Sequence, residues 1–325
     1  MKYRSTGRFP VLVSVIGLGC WGLSGPKVWK NSSDEQSIKV VHKALELGVN
    51  FFDVAPVYGF GHAEEILGKA IKGFPRDKII IATKCGLIWD QQGRIKRCLT
   101  KESIMKEIDA SLMRLKTDYV DLYQLHWPDP NMPIEETMEA MLKLKDQGKI
   151  RFIGLSNFSI DTAARLLPHI SSMQGLYNLF ERNARSYHNI ALEYRTESEV
   201  LPFCQINGLA FFPYSPLMQG VLTGKLSQNE VFTDVRAANP KLVGENYRKY
   251  IDAVDKLKGI ATKLQKPLSQ LSLNWLLRHE SVTSIIAGAT SPEEVEENVK
   301  TVEWEMSDDV YNEIERIVHD TNVID

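Results

Sequence analysis

Residues 50–59 read Asn-Phe-Phe-Asp-Val-Ala-Pro-Val-Tyr-Gly, a short apolar run that ends abruptly in Asp53 and continues into a turn that carries Tyr58. This pattern predicts a buried strand whose exit presents both polar side chains. An ionised carboxylate in such a place needs a cation, and that cation would lower the pKa of a neighbouring tyrosine. The stretch therefore predicts a reactive strand end whose cation comes from elsewhere in the chain.

Short apolar runs alternate with helical patterns along the whole chain, at the spacing of repeated βα units. The predicted strands lie at 15–19, 51–53, 79–84, 119–125, 150–155, 173–177, 209–214 and 284–287. Eight such units, with no G-x-G-x-x-G after the first strand, favour a closed (β/α)8 TIM barrel over an open doubly wound sheet. We expect residues 1–325 to form a single barrel domain, with an N-terminal β-hairpin and an extra C-terminal helix.

Helical periodicity and capping residues predict the helices between these strands. They are expected at 34–48, 63–71, from 100 onward, 134–147, 161–167, 197–206, 292–299 and, as the extra helix, 308–319. Asp34 is the expected N-cap of the first helix and Thr100 that of the third. The connections at 85–99 and 218–245 are longer than usual and are candidate lids.

Charge and cysteine content restrict the possible partners. The chain has 39 basic and 41 acidic residues and a formal charge of -2, which gives no electrostatic footprint for nucleic acid or an anionic membrane. Its four cysteines lack the close spacing of a metal knuckle, a redox pair or a secreted disulfide scaffold. We therefore expect a cytoplasmic protein that acts on a small molecule and binds neither metal nor membrane.

The N-terminus superficially resembles a lipoprotein signal, because basic residues precede the apolar run 11–19 and Cys20. The run contains Ser14 and two glycines and leads into Trp21-Gly22 rather than a polar segment. A buried first strand is the better interpretation. No stretch approaches the roughly 18 apolar residues of a membrane span.

Polar residues follow or end most of the predicted strands, and in a parallel barrel these ends converge on one mouth. They are Asp53 with Tyr58, Lys84, His126, Ser156 with Asn157, Gln174 with Asn178, and Tyr214 with Ser215. Taken singly, Lys84 could be a solvated flanking charge, His126 a hydrogen-bonded loop residue and Tyr58 a rim aromatic. Together they predict one network.

In that network Lys84 is the missing cation. It would lower the pKa of Tyr58 from its usual value, and Asp53 would keep Lys84 charged and in place. A tyrosine tuned in this way can exchange a proton with a carbonyl or alcohol oxygen, and a neutral His126 would orient that oxygen. Because no zinc spacing or nucleophile elbow is present, hydride from a nicotinamide is the expected electron source.

These residues belong to a set of motifs that resembles the aldo-keto reductases over nearly the whole chain. The motifs are Gly-Leu-Gly-Cys-Trp-Gly at 17–22, Asp-x-Ala-x-x-Tyr-Gly at 53–59, Lys84, Leu-His-Trp-Pro-Asp at 125–129, Gly-Leu-Ser-Asn-Phe at 154–158, Gln-x-x-Tyr-Asn at 174–178, Tyr-Ser-Pro-Leu at 214–217, Leu-Thr-Gly-Lys at 222–225 and Gly-Ala-Thr-Ser at 288–291, followed by Glu297-Asn298. Val54 replaces the family's usual Thr.

The resemblance implies a catalytic set of Asp53, Tyr58, Lys84 and His126, with Tyr58 as the acid in the reduction of aldehydes or ketones. It also implies an extended NADP(H) whose nicotinamide stacks on Tyr214. The other implied cofactor residues are Trp21, Ser156, Asn157, Gln174, Ser215, Pro216, Leu217, Lys225, Arg236, Gly288, Thr290, Glu294, Glu297 and Asn298. Trp21, Trp89 and Trp127 are candidates for lining the substrate pocket.

Two other functions compete with this one. The same family includes potassium-channel β subunits, which bind the cofactor in a regulatory role, but they resemble an Asn at the position of His126. A Schiff-base aldolase would use Lys84 as a nucleophile, which requires a lowered pKa, whereas Asp53 would raise it. Both are weaker than the reductase.

The cofactor preference departs from the family's strong NADP(H) binders, which place basic residues or a Gln around the 2′-phosphate. This chain has Gly288 and Glu294 at the matching positions. A glutamate beside a phosphate is unfavourable, although Thr290, Ser291 and the amides of the following helix could donate hydrogen bonds. We expect NADPH to be used, with less preference over NADH than is typical of the family.

Overall fold

The computed structural model describes residues 1–26, 28–29 and 32–321. The strands, numbered in chain order, are β1 (Tyr3–Arg4), β2 (Val13–Ser14), β3 (Ile16–Gly19), β4 (Phe51–Asp53), β5 (Ile80–Cys85), β6 (Leu87–Trp89), β7 (Ile95–Arg97), β8 (Val120–Leu125), β9 (Ile150–Ser156), β10 (Ser172–Leu176), β11 (Ser186–Tyr187), β12 (Ile190–Ala191), β13 (Ala210–Tyr214) and β14 (Ile285–Gly288). The helices are α1 (Asp34–Glu46), α2 (His62–Ala70), α3 (Lys101–Leu115), α4 (Ile134–Asp146), α5 (Ile160–Arg165), α6 (Leu201–Asn207), α7 (Gly244–Leu264), α8 (Leu268–Leu277), α9 (Pro292–Val299) and α10 (Asp308–Asp320).

Eight strands form one parallel sheet in the spatial order β13-β10-β9-β8-β5-β4-β3-β14. The two end strands meet through a parallel bridge between Phe211 and Val282, and the Thr283 amide donates to the Phe211 carbonyl at 2.9 Å. These contacts close the sheet, so the predicted (β/α)8 barrel is confirmed. Parallel closure brings the carboxyl ends of the strands to one rim, where the polar strand ends meet.

The base of the barrel is sealed by the N-terminal segment, as predicted. Strands β1 and β2 form an antiparallel hairpin, and Phe9 packs at the edges of Phe212 and Phe152 inside the barrel. Arg4 donates to the carbonyls of Leu277 and Val282, at 3.0 and 2.5 Å, and so satisfies backbone acceptors at the end of α8 and just after it. The rim that carries the polar strand ends therefore lies at the opposite end from the chain's N-terminus.

Helix α1 begins at Asp34, but the prediction that Asp34 is its N-cap is wrong. The cap is Ser33, whose hydroxyl accepts a hydrogen bond from the Gln36 amide at 3.2 Å. Asp34 lies in the first turn, where an acidic residue complements the helix dipole, and it pairs with His62 at 2.8 Å. Thr100 does cap α3, with its hydroxyl accepting from the Ser103 amide.

Three connections at the rim are long, whereas the sequence predicted two. The first, 85–99, is the antiparallel hairpin β6–β7, and the second, 218–243, contains short 3-10 turns. The third joins β10 to α6 and carries the small hairpin β11–β12 before a π-helical turn, Thr196–Val200. It was missed because its residues lack apolar alternation.

Among the described residues, no helix is both long enough and apolar enough to cross a membrane.

Candidate active site

The centre of the site is a buried ion pair between neighbouring strands. Lys84, the fifth residue of β5, donates from Nζ to Asp53 Oδ1 at 2.5 Å and to the Val54 carbonyl at 3.1 Å. Its third contact is the Tyr58 hydroxyl at 3.3 Å, and Nζ lies 5.0 Å from the centre of that ring. The ammonium thus joins the carboxylate to the phenol, as the sequence predicted.

Burial and charge act in opposite directions on Lys84 and Tyr58. Burial lowers the pKa of Lys84, but Asp53 and Tyr58 outweigh it, so the net pKa is raised and the ammonium stays charged. For Tyr58 burial is the largest effect and raises its pKa, while Lys84 opposes the rise. The predicted net lowering of the Tyr58 pKa is therefore wrong, because the sequence revealed the cation but not the burial. The phenol stays protonated at neutral pH.

His126 directly follows β8, and its amide donates to the Cys85 carbonyl at 3.0 Å, which fixes the residue at the rim. Its ring meets Tyr58 edge to face, with centroids 6.1 Å apart. Burial, and secondly Lys84, place the pKa of His126 well below its usual value. The imidazole is therefore neutral at physiological pH, as predicted.

The second oxygen of Asp53 is held by two amides that point into the barrel. Gln124 of β8 and Gln174 of β10 both donate from Nε2 to Asp53 Oδ2, at 3.1 and 2.9 Å. Gln174 thus lies within its strand rather than beyond its end. Gln124 was missed, although its position two residues before His126 places both on the same face of the chain.

Ser156 and Asn157 lie at the end of β9 and extend this network to the rim. Ser156 Oγ donates to Gln174 Oε1 at 3.3 Å, and Asn157 Nδ2 donates to Ser156 Oγ at 3.2 Å. Asn157 Oδ1 accepts from the hydroxyls of Tyr214, at 2.8 Å, and Tyr194, at 3.0 Å. Tyr194, also missed from the sequence, anchors the predicted amide-binding pair from the third long connection.

Strained backbone is concentrated at the same rim. Among the described residues, nine non-glycine residues have positive φ, and seven of them lie in rim connections: Phe60, Asn157, His188, Asn189, Ser215, Met218 and Gln219. The other two, Lys116 and Gln265, end helices. Left-handed non-glycine residues are costly and gather at functional sites. The backbone thus identifies the same end of the barrel as the side chains.

The connection after β13 carries the predicted phosphate-covering residues. Ser215 accepts at its carbonyl from Asn178 Nδ2, at 3.0 Å, and its Oγ lies 3.3 Å from the Tyr187 hydroxyl. Pro216 is buried and Leu217 half-buried, and the carbonyl of Leu217 accepts from the amides of Gly220 and Leu222. These contacts fold the connection tightly against the end of β13.

The two cations predicted on this connection are both in ion pairs. Lys225 Nζ lies 3.1 Å from Glu297, and Arg236 Nη2 lies 2.6 Å from Asp234. The Arg236 guanidinium also faces the Trp29 ring at 5.8 Å. The Lys225 pair connects the rim segment directly to α9.

The start of α9 is organised around Glu294. Its Oε2 accepts from the amide and the hydroxyl of Thr290, at 2.7 and 3.0 Å, while Ser291 caps the helix by accepting from the Glu294 amide. Gly288 is exposed at the end of β14, and its carbonyl accepts from Asn298 Nδ2 at 3.3 Å. The Thr290 donors that could have bound a phosphate are therefore already engaged by the Glu294 carboxylate.

The aromatic residues predicted at the mouth have different environments. Trp21 is half-buried, with its ring 6.4 Å from Tyr58 and 5.1 Å from Trp29. Trp89 of β6 packs against Phe60 at 5.5 Å. Trp127 is buried, and the Arg97 guanidinium covers its ring at 5.3 Å. Of these three tryptophans, Trp21 is the one in contact with the Tyr58 ring.

No group of three His, Cys, Asp or Glu side chains that could bind a metal occurs in the described part of the chain.

Gly59 fixes the turn that carries Tyr58. Its φ is +64°, and a Cβ added there would lie 2.4 Å from the Ser24 carbonyl oxygen. We expect Gly59→Ala to lower the free energy of unfolding, measured in urea, by at least about 1 kcal/mol more than Gly208→Ala. Gly208 has the same φ but no atom nearer than 3.8 Å, so equal losses would mean that the close approach to Ser24 is unimportant.

Known proteins resemble this chain in sequence and in fold. The model of the aldo/keto reductase family matches residues 15–319. The NADH-specific methylglyoxal reductase of Escherichia coli (strain K12) is 35% identical, over 95% of this chain and 95% of that protein. A probable voltage-gated potassium channel subunit beta of Oryza sativa subsp. japonica is 34% identical, over 98% of this chain and 97% of that protein.

Among solved structures, a glycerol dehydrogenase from Gluconobacter oxydans matches with a TM-score of 0.86 and 30% identity. The match covers 100% of this chain and 97% of that chain.

Proposed function

The chain belongs to the aldo/keto reductase family, and from that membership and the geometry of the rim we propose that it reduces aldehydes or ketones to alcohols, with NAD(P)H as hydride donor and Tyr58 as general acid. The observation that carries the proposal is the contact of Lys84 with both Asp53 and Tyr58. A half-buried phenol has little reason to face an ammonium for packing alone. Such a contact suits a hydroxyl that develops negative charge as its proton leaves.

The proposed roles follow from the protonation states. Tyr58 donates its proton to the carbonyl oxygen, and Lys84 stabilises the phenolate that results. Asp53 keeps Lys84 charged and aimed at the phenol, since Oδ1 lies 2.5 Å from Nζ. His126 is neutral and adjoins Tyr58, so its ring can donate a hydrogen bond to the same oxygen without competing for the proton.

The residues at the rim fit a nicotinamide, which when bound supplies the hydride to the carbonyl carbon. Tyr214 is half-buried at the end of β13, and its hydroxyl is tied to Asn157, which fixes the ring as a flat surface for stacking. Ser156 and Asn157 offer polar atoms at the next strand end but one, suitable for a carboxamide. The ring of Trp21 lies 6.4 Å from that of Tyr58, so Trp21 is placed to line the substrate pocket.

The adenosine end of the cofactor is assigned to the start of α9. Residues 288–299 contain four glutamates and no lysine or arginine. With Thr290 already bound to the Glu294 carboxylate, a 2′-phosphate would displace a hydrogen-bonded anion, whereas ribose hydroxyls could donate to it. NADP(H) and NAD(H) should therefore both bind, with weaker preference for NADPH than is typical. The E. coli relative, whose name describes it as NADH-specific, supports this direction.

Glu294→Gln should strengthen NADPH binding by about 1 kcal/mol and leave NADH binding nearly unchanged, because it removes one charge beside the 2′ position and keeps the acceptor for Thr290. The measurement is the dissociation constant of each cofactor, from quenching of protein fluorescence. Glu296→Gln on the same helix, where the carboxylate pairs with Lys300, is the matched control. Equal changes for both cofactors would mean that Glu294 does not face the 2′ position.

The activity is tested by following NADPH and NADH oxidation with a panel of aldehydes, ketones and sugars. Turnover of a carbonyl compound by the purified chain supports the proposal, and its absence over the panel contradicts it. The alternative is a cofactor-binding regulatory subunit of the channel-β type with little turnover, favoured by the similarity to the rice protein. His126 argues for catalysis, and tight cofactor binding without turnover would favour the alternative.

A further inference from the structure

The geometry points to Gln124 as a positioning residue that keeps the Asp53 carboxylate aimed at Lys84 and thereby controls the acidity of Tyr58. This inference rests on the proposed role of Tyr58 as the acid. Gln124 touches neither Tyr58 nor His126 in the described hydrogen bonds. Its effect on the reaction passes through Asp53.

Asp53 is enclosed by donors on both oxygens. Oδ1 faces Lys84, while Oδ2 accepts from Gln124 at 3.1 Å and from Gln174 at 2.9 Å. A buried carboxylate is costly unless its lone pairs are satisfied, and each neutral donor stabilises the ionised form. The two amides also prevent the carboxylate from rotating away from the ammonium. Gln124 and Gln174 thus satisfy the second oxygen of Asp53 and fix the direction of its carboxylate.

The orientation of each amide follows from its partners. Gln174 Nε2 donates to Gln124 Oε1 at 3.2 Å as well as to Asp53, so both of its N–H groups are used inside the barrel. Its Oε1 accepts from Ser156, so the pattern is consistent in only one orientation. An unbroken series of hydrogen bonds therefore runs from Asn157 and Ser156 through Gln174 and Asp53 to Lys84 and Tyr58.

The space for this arrangement comes from Gly154. Strand β9 lies between β8 and β10, and Gly154 pairs in register with Gln124 on one side and Ser172 on the other. A Cβ at Gly154 would lie 3.0 Å from Gln124 Cγ and 2.5 Å from Ser172 Oγ. The missing side chain allows Gln124 to reach past β9 to Gln174. The amide pair is therefore built into the strand packing.

Several titratable groups surround Tyr58, but few of them carry charge. Lys84, Asp53, Cys20 and His126 face it, and Tyr187 is a further neighbour. Burial raises the pKa of Cys20 and of Tyr187 and lowers that of His126, so all three are neutral near pH 7. The charges that act on the phenol are therefore those of Lys84 and Asp53. The amides of Gln124 and Gln174 hold Asp53 in place beside Lys84.

Gln124→Met removes the donor and keeps the length of the side chain. We expect kcat to fall about tenfold or more, as for loss of a hydrogen bond to a charged group. We also expect the rise of alcohol oxidation with pH to move to higher pH, because the pKa of Tyr58 increases. The pKa of Tyr58 should rise because a less firmly held Asp53 positions the Lys84 ammonium less well. Of the two charged groups, Lys84 lies closer to the phenol and lowers its pKa. The cofactor dissociation constant should change less than in Gln174→Met, because the described side-chain hydrogen bonds of Gln124 join it to Asp53 and Gln174, whereas Gln174 contacts Ser156 directly.

Gln124→Glu is the isosteric companion. Its ionised carboxylate cannot donate to Asp53, but its protonated form can, so its activity relative to wild type should rise as the pH falls, whereas that of Gln124→Met should not. Gln174→Met should shift both the pH profile and the cofactor dissociation constant, because Gln174 also contacts Ser156.

Unchanged pH profiles in Gln124→Met and Gln124→Glu, with only a lower melting temperature, would overturn the inference and leave a purely structural role. A wild-type chain that turns over no carbonyl compound would instead contradict the proposed function. The cofactor dissociation constants confirm in each case that the variant is folded.

Discussion

In Tyr58→Phe, we expect turnover to fall by about 10²–10⁴-fold while the dissociation constant of the cofactor stays nearly unchanged. In the proposed mechanism the hydroxyl acts when its proton moves to the carbonyl oxygen and contributes little to ground-state binding. Steady-state reduction of a carbonyl substrate and fluorescence titration with NADPH or NADH measure the two quantities. Retention of more than about a tenth of the activity would show that another group is the acid.

A matched control for this variant is Tyr123→Phe. Tyr123 is a fully buried tyrosine of β8 that packs in the core between the strands and the helices. Removing its hydroxyl deletes the same atom from the same residue type on the face of β8 opposite to that of Gln124. Normal turnover in Tyr123→Phe, combined with its loss in Tyr58→Phe, assigns the effect to the position of the hydroxyl rather than to general weakening of the fold.

The raised pKa of Tyr58 favours the reductive direction. A phenol that stays protonated at neutral pH is ready to donate, whereas alcohol oxidation requires the phenolate and therefore a higher pH. We infer that carbonyl reduction keeps its rate across neutral pH and that alcohol oxidation accelerates as the pH rises toward the pKa of Tyr58. The position of that rise is the quantity that mutation of the surrounding charges should move.

The strands and their polar ends were predictable because local physics decides them. Phe51 and Phe52 are apolar and precede the carboxylate of Asp53, so these three residues predict both a buried strand and the point where it ends. The N-cap of α1 was not resolved, because Ser33 and Asp34 are adjacent residues of capping type and only backbone geometry selects between them. Element types followed from periodicity, whereas single boundary positions did not.

The site was less fully predictable, since its missing parts depend on contacts across the barrel. Gln124 is an ordinary amide in a strand until closure brings it to Asp53, which lies 71 positions earlier in the chain. Tyr194 reaches Asn157 from a connection whose hairpin lacks a hydrophobic pattern. The direction of the Tyr58 pKa depended on burial, which only the folded barrel sets. The sequence predicted the pairing of Lys84 with Asp53, but it did not predict the desolvation of Tyr58.

Lys84→Met should reduce turnover strongly and move the pH-dependent rise of alcohol oxidation to higher pH. The reason is that the phenol loses the cation that opposes the effect of burial on its pKa. The ammonium is fully buried and lies 3.3 Å from the hydroxyl, so little solvent screens the interaction. The measurement is the pH profile of kcat for alcohol oxidation in wild type and variant. An unmoved profile in a variant that is still active would rule out the electrostatic role.

The same substitution leaves Asp53 as a buried carboxylate without its cation, which should lower the free energy of unfolding by about 3–5 kcal/mol. The double variant Lys84→Met with Asp53→Asn separates the loss of stability from the loss of turnover, because it removes both charges. The side-chain oxygen of the new Asn can still accept from Gln124 and Gln174. It should recover stability in urea relative to Lys84→Met alone, while its turnover stays low. Recovery of activity together with stability would mean that Lys84 serves the fold and not the proton transfer.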